Sequence, residues 1–137
     1  LGIHQLPRLE EWIETRRLLW ERYDSELAGL PLMLPDPPPA SMRHARHLYQ
    51  ARLTDESPID RDGLLDALHK NRIGAGVHYR AAHLHPYYRD RYGLRPEDSP
   101  LATEASNTTM SLPLAGGLSD AEQARVIRAL SSALGRG

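Results

Sequence analysis

The chain has 137 residues, with no cysteine, no phenylalanine and a single lysine, Lys70. Without cysteine there are no disulfides, no thiolate metal ligands and no cysteine nucleophile. Without phenylalanine the apolar interior falls mainly to leucine and alanine, and aromatic residues make up only 6% of the chain. The lone lysine confines any chemistry that needs an amine side chain to one position. Neither sign of charge dominates: 17 basic residues stand against 18 acidic ones, for a net charge of −1. The chain as a whole therefore carries no electrostatic footprint for DNA or RNA. No apolar run approaches the ~20 residues that span a bilayer. The opening LGIHQLPRLEEW lacks the basic start and apolar core of a signal peptide. A cytoplasmic protein without a membrane or nucleic-acid partner is the expectation. The first residue is not Met, and the first segment already reads as helix, as in a chain entered mid-structure.

The length suits one domain with a real core. Leu9, Trp12, Ile13, Leu19, Trp20, Tyr23, Leu27 and Leu30 recur at three- and four-residue steps, the stripe of a long amphipathic helix over residues 1–30. Gly29 and Pro31 are its predicted stop. PDPPPA at 35–40 reads as an extended connector, and RHLYQARLT at 46–54 alternates as a strand. Asp60 caps a predicted helix with Leu64, Leu65 and Leu68 on its apolar face. GAGVHYR reads as a strand entered through two glycines, and YYRDRYG as a turn or two of helix ended by Gly93. A short helix and then a strand near Met110–Leu114 are predicted from PLATEASNTTMSLPL. SDAE at 119–122 has capping-box spacing and opens a helix with Val126, Ile127, Leu130 and Leu134 on one face. Helices alternating with strands predict an α+β, two-layer domain, with helices packed on a small sheet.

Residues 74–93, GAGVHYRAAHLHPYYRDRYG, gather three histidines, four of the six tyrosines and three arginines. A metal site is the first reading, but His78, His83 and His85 are not at the i, i+4 spacing that brings two helical ligands to one ion. A strand would also turn His44 and His47 to opposite faces, so no metal is expected. A nucleic-acid surface would use Arg80, Arg89, Arg91 and Arg95 on phosphates and the tyrosines on bases, but no RNA-binding signature surrounds the patch. The third reading, one wall of a pocket for a phosphorylated or nucleotide-linked small molecule, fits best: imidazole, phenol and guanidinium groups donate to hydroxyls and phosphates. Taken singly, a tyrosine here can equally pack on the core with its hydroxyl in water.

The stretch IGAGVHYRAAHLHPYYRDRYG resembles the C-terminal region of the DegT/DnrJ/EryC1/StrS family of sugar aminotransferases. LGIHQLPRLEEWIETRRLLWERYDSEL is similar to that family's helix after the cofactor domain, RHARHLYQARL to its strand, and MSLPLAGGLSDAEQARVI to its closing strand and helix. Arg46 departs from the pattern, which has an aromatic residue there. The resemblance implies a small, mainly antiparallel sheet with helices packed on it, like the small C-terminal domain of fold-type-I enzymes dependent on pyridoxal phosphate (PLP). It divides the chain into a linking helix, 1–30, and a small α/β domain, 31–137, with an N-terminal PLP domain missing. It implies a homodimeric enzyme that moves an amino group, from a donor such as glutamate, to a nucleotide-linked keto-sugar. His78, Tyr79, His83, His85, Tyr88 and, less directly, His47 are then contributors to the substrate or cofactor side of the pocket. Lys70 closes a predicted helix outside its leucine face, so no catalytic residue and no bound PLP are expected in this chain alone. A free-standing nucleotide-sugar binding module derived from such a domain is the alternative.

Overall fold

The computed structural model describes residues 2–135. Helix α1 (Gly2–Gln5), a 3-10 turn (Leu6–Arg8) and α2 (Leu9–Glu26) succeed one another, with Gln5 and Arg8 themselves in right-handed helical backbone. Ile3, Leu6, Leu9 and Leu18 are exposed along this segment, and burial begins at Leu19 and Trp20 and continues through Tyr23, Leu27 and Leu30. The helix stops at Glu26, short of the predicted end near Leu30. Leu27 closes the last turn with its N–H on the Tyr23 carbonyl at 2.9 Å. Gly29 then takes a left-handed φ of 77°, and Pro31 has no N–H to extend the ladder.

Strands β1 (Leu32–Met33), β2 (Tyr49–Leu53) and β3 (Thr109–Leu112) form one antiparallel sheet in the order β1-β2-β3. Tyr49 pairs with Leu112, Gln50 with Ser111, Ala51 with Met110 and Arg52 with Thr109. Side chains alternate across a strand, so Tyr49, Ala51, Leu53, Met110 and Leu112 form the core face, and Gln50, Arg52, Thr109 and Ser111 share the other. Only the first face is built of apolar groups, which fixes the register.

Two helices and α2 cover the core face. Helix α3 (Arg61–Lys70) starts at Asp60, whose carboxylate accepts from the Gly63 N–H at 2.7 Å, and buries Leu64 and Leu68. Two short helices follow it, α4 (Pro86–Tyr92) and α5 (Pro100–Thr108), the second running directly into β3. Gly93 ends α4 at φ 66°, a backbone region that favours glycine. Helix α6 (Asp120–Ala133) opens with the predicted capping box of Ser119 and Glu122 and buries Val126, Ile127 and Leu130, joined by Leu134.

Two tyrosines hold the centre. Tyr23 donates its hydroxyl to the Pro113 carbonyl at 2.9 Å, and Tyr49 donates to an Asp24 carboxylate oxygen at 2.7 Å. Burial pushes both phenols well above the ordinary range, and at Tyr49 the hydrogen bond to Asp24 adds to the effect. Each neutral phenol is thus favoured by folding. Its contribution is fully present below the ordinary tyrosine range and falls as pH rises above about 10. In an alkaline ultraviolet titration two of the six tyrosines should ionise only together with loss of helical circular dichroism, and the Tyr23→Phe, Tyr49→Phe double variant should abolish that late phase. A smooth titration of all six with the fold intact would refute this.

One predicted element is corrected. GAGVHYR does not form a strand; only Gly76 meets β3, in an isolated antiparallel bridge with Ser111. Their two backbone hydrogen bonds measure 3.2 and 2.7 Å. Gly74 and Gly76 offer no side chains to pack on a sheet face, and the chain beyond them is held by side chains instead. Strand β1, in turn, carries no alternating pattern long enough to be read from two residues.

Candidate functional site

The outer face of the sheet and the first turns of α5 grip the segment 76–84 at four points. The Gln50 side-chain amide donates to the His78 carbonyl at 2.5 Å, and the Ser111 hydroxyl lies 2.9 Å from His78 Nδ1. The Ser106 hydroxyl accepts the Ala81 N–H at 2.9 Å, and the Thr103 hydroxyl lies 2.7 Å from His83 Nε2. Local sequence explains this grip. Gln50 and Ser111 are cross-strand partners on the face that does not enter the core, and Thr103 and Ser106 are three residues apart, hence neighbours on one side of a helix. Arg61 steadies the platform, donating to the carbonyls of Ser106 at 2.9 Å and Thr109 at 3.1 Å where α5 passes into β3.

The held segment carries His78, Tyr79 and His83, and His85 and Tyr88 follow it along the chain. His78 is half-buried and meets the exposed Tyr79 ring edge-on at 5.0 Å; the peptide bond between them is cis. His83 is half-buried in a 3-10 turn (Ala82–Leu84), and His85 is exposed just before Pro86 of α4. Tyr88 stacks on Tyr92, with ring centroids 6.5 Å apart, and meets Tyr87 edge-on at 5.2 Å. All four tyrosines of this stretch are exposed, Tyr79 to 78%. Such rings are not the core packing that is the ordinary fate of aromatic side chains.

His47 lies in a separate concavity of ≈ 330 Å³ lined by Trp20, Asp36, His44 and Gln50 among others. Gln50 joins the two places, because the amide that lines this hollow also holds the His78 carbonyl. Arg46 has a positive φ of 46° and gives its backbone N–H to His44 Nδ1 at 3.2 Å. His44 meets the Trp20 ring edge-on.

Sequence reasoning missed the gripping side chains. Gln50 was readable as an outward residue of an alternating strand, and the Thr103/Ser106 spacing as one helix side. Nothing local in the sequence says that either meets residues 76–84. Among the described residues, no group of three or more histidine, aspartate or glutamate side chains is placed to hold a metal ion. No helix among them is long and apolar enough to cross a membrane.

A family model for the DegT/DnrJ/EryC1/StrS aminotransferase family matches residues 1–131, and the chain belongs to that family. Among solved structures, it is similar to the aminotransferase TlmJ from Streptoalloteichus hindustanus, with 30% identity over 97% of this chain and 34% of that one, and a TM-score of 0.82. DesV from S. venezuelae, solved in complex with a ketimine intermediate, is 32% identical over 96% of this chain and 34% of that one, with a TM-score of 0.80. Spr1654 from Streptococcus pneumoniae, in its PLP form, is 28% identical over 96% of this chain and 33% of that one, with a TM-score of 0.86. The chain thus spans about a third of the length of these relatives.

PLP requires a lysine whose amine can reach it to form a Schiff base. Lys70, the only lysine, is exposed on the last turn of α3. It is a cation near the helix's C-terminal carbonyls, and it is not among the side chains that grip residues 76–84. The described residues do not fit the covalent anchor of that cofactor.

Proposed function

We propose that this chain is the small domain of a PLP-dependent aminotransferase that acts on nucleotide-linked keto-sugars, lining the substrate side of the pocket and inactive by itself. Residues 31–137 form that domain and residues 1–30 the segment linking it to a PLP-binding domain, which supplies the Schiff-base lysine. The whole enzyme works as a homodimer with glutamate or a similar amine as donor. PLP, when bound there, supplies the electron sink for moving the amino group. His78, Tyr79, His83, His85 and Tyr88 bind and orient the sugar nucleotide by hydrogen bonds to its hydroxyls and phosphates, with His47 at the margin beyond Gln50. The reading is carried by one observation: a family match over nearly the whole chain in which the only lysine is exposed and outside the polar wall.

The test has two arms. Borohydride reduction of the isolated chain mixed with PLP should leave no stoichiometric adduct on Lys70 by peptide mass mapping; such an adduct overturns the proposal. Expressed together with the polypeptide encoded upstream, the chain should support glutamate-dependent conversion of PLP to its amine form. There His78→Ala should lower kcat/KM for a keto-sugar nucleotide by roughly tenfold to a hundredfold, the scale of one lost hydrogen bond to a charged group. A start codon directly before Leu1, with tight nucleotide-sugar binding by the isolated chain, would instead support the free-standing binding module.

A further inference from the structure

The two half-buried histidines of the wall are held differently, and the difference lies in where a hydroxyl proton can go. Thr103 donates its hydroxyl to the Pro96 carbonyl at 2.8 Å. A threonine hydroxyl has one proton, and a carbonyl can only accept, so that proton is committed. The same oxygen lies 2.7 Å from His83 Nε2. It can serve His83 only as an acceptor, and Nε2 must therefore carry the hydrogen. In the neutral ring the bare nitrogen is then Nδ1, which has no partner among the described residues. At His78, by contrast, Nδ1 faces the Ser111 hydroxyl, for which no second partner exists among the described residues. That proton is free to point either way, so Ser111 leaves the His78 tautomer open.

The acceptor at the end of this relay is itself fixed by local structure. Pro96 opens a 3-10 turn (Pro96–Asp98), and its carbonyl also receives the Ser99 N–H at 3.3 Å. Thr103 sits in the first turn of α5, with its backbone N–H on the Ser99 carbonyl at 2.9 Å. Backbone on both sides thus holds the Pro96 carbonyl and the Thr103 hydroxyl in register.

We infer that Thr103 is a positioning residue that fixes the tautomer of His83, so that neutral His83 presents Nδ1 to a ligand as a hydrogen-bond acceptor. In that neutral form the subsite at His83 takes a donor group, a sugar hydroxyl or an amine, and not a bare phosphate oxygen. This rests on the reading that His83 faces the substrate; the assignment of the ring proton does not.

The experiment is nuclear magnetic resonance of the protein labelled with 15N-histidine, with His83 identified by the signals lost in His83→Gln. Near neutral pH the His83 ring proton should appear on Nε2, slowed in exchange by its hydrogen bond. Thr103→Val keeps the size of the side chain but removes the hydroxyl, and should abolish that signal without changing the backbone amide spectrum elsewhere. Thr103→Ser should restore it. A ring proton on Nδ1 in the parent protein, or an Nε2 signal unchanged in Thr103→Val, overturns the inference. In the polypeptide extended upstream, Thr103→Val should raise KM for a keto-sugar nucleotide severalfold, with Thr103→Ser near the parent value. A lost ring signal with KM unchanged would overturn the donor subsite and the substrate-facing role of His83 while leaving the tautomer assignment in place.

Discussion

Replacing Tyr49 with alanine is expected to lower the free energy of unfolding by about 3–5 kcal/mol, the cost of truncating a fully buried aromatic side chain. Tyr49 is completely buried on the core face of β2. Its ring lies 4.9 Å from both Trp20 and Tyr23, edge-on to the first. Truncation opens a cavity where α2 meets the sheet and removes two aromatic contacts, each worth about 0.5–1.5 kcal/mol beyond burial. The companion variant separates packing from polarity. Tyr49→Phe keeps the ring and loses only the bond to Asp24, whose half-exposed carboxylate can turn to water. Its cost should be about 0.5–1.5 kcal/mol. Urea denaturation with a constant m-value measures both. Equal losses for the two variants would show that the hydrogen bond, and not the ring, holds β2 to α2. Because Tyr49 stands beside Gln50, the alanine variant should also loosen the grip on His78.

Gln123→Glu should cost a comparable amount, about 3–5 kcal/mol near neutral pH, the usual penalty for an uncompensated buried charge. Gln123 is fully buried on α6, and its amide donates to the Leu19 carbonyl of α2 at 2.6 Å. Its own side-chain oxygen has no partner among the described residues. A carboxylate there would lose the donor, face a carbonyl oxygen and have nothing to offset desolvation, so burial would raise its pKa. A carboxyl raised in the folded state binds a proton more tightly folded than unfolded. Its stability contribution is therefore greatest below the unfolded value, near pH 4, and declines as pH rises. The gap between variant and parent should narrow from pH 7 toward pH 4.5. A gap independent of pH would mean that the carboxylate escapes to water and that α6 does not seal this position. Gln123→Leu, which brings no charge, should show no such pH dependence.

Much of this was legible because it is local. The amide cap by Asp60, the Ser119/Glu122 box and the Gly93 stop depend on residues within a few positions of one another. So does the leucine spacing that buries Leu64, Leu68, Val126, Ile127 and Leu130. The end of α2 was placed late because the stripe continues to Leu30 while the backbone does not: Leu30 is buried from a loop. The glycine-led strand failed for the opposite reason. Strand propensity around Val77 was real, but a strand exists only through its neighbours, and here a single bridge at Gly76 is all that forms.

By itself the sequence determined the composition of the wall, its concentration in residues 74–93, the helices that flank it, and the exclusion of thiol chemistry. It also determined that these 137 residues hold just one lysine, Lys70. The tertiary structure alone decided which side chains hold the wall. Gln50, Thr103, Ser106 and Ser111 lie 20 to 33 positions from the atoms they bind. Register between β2 and β3, and the run of α5 into β3, bring them there. Hydrogen bonds need alignment within a few tenths of an ångström, and no spacing along a chain encodes that across such separations. Only the packed sheet and helix supply it.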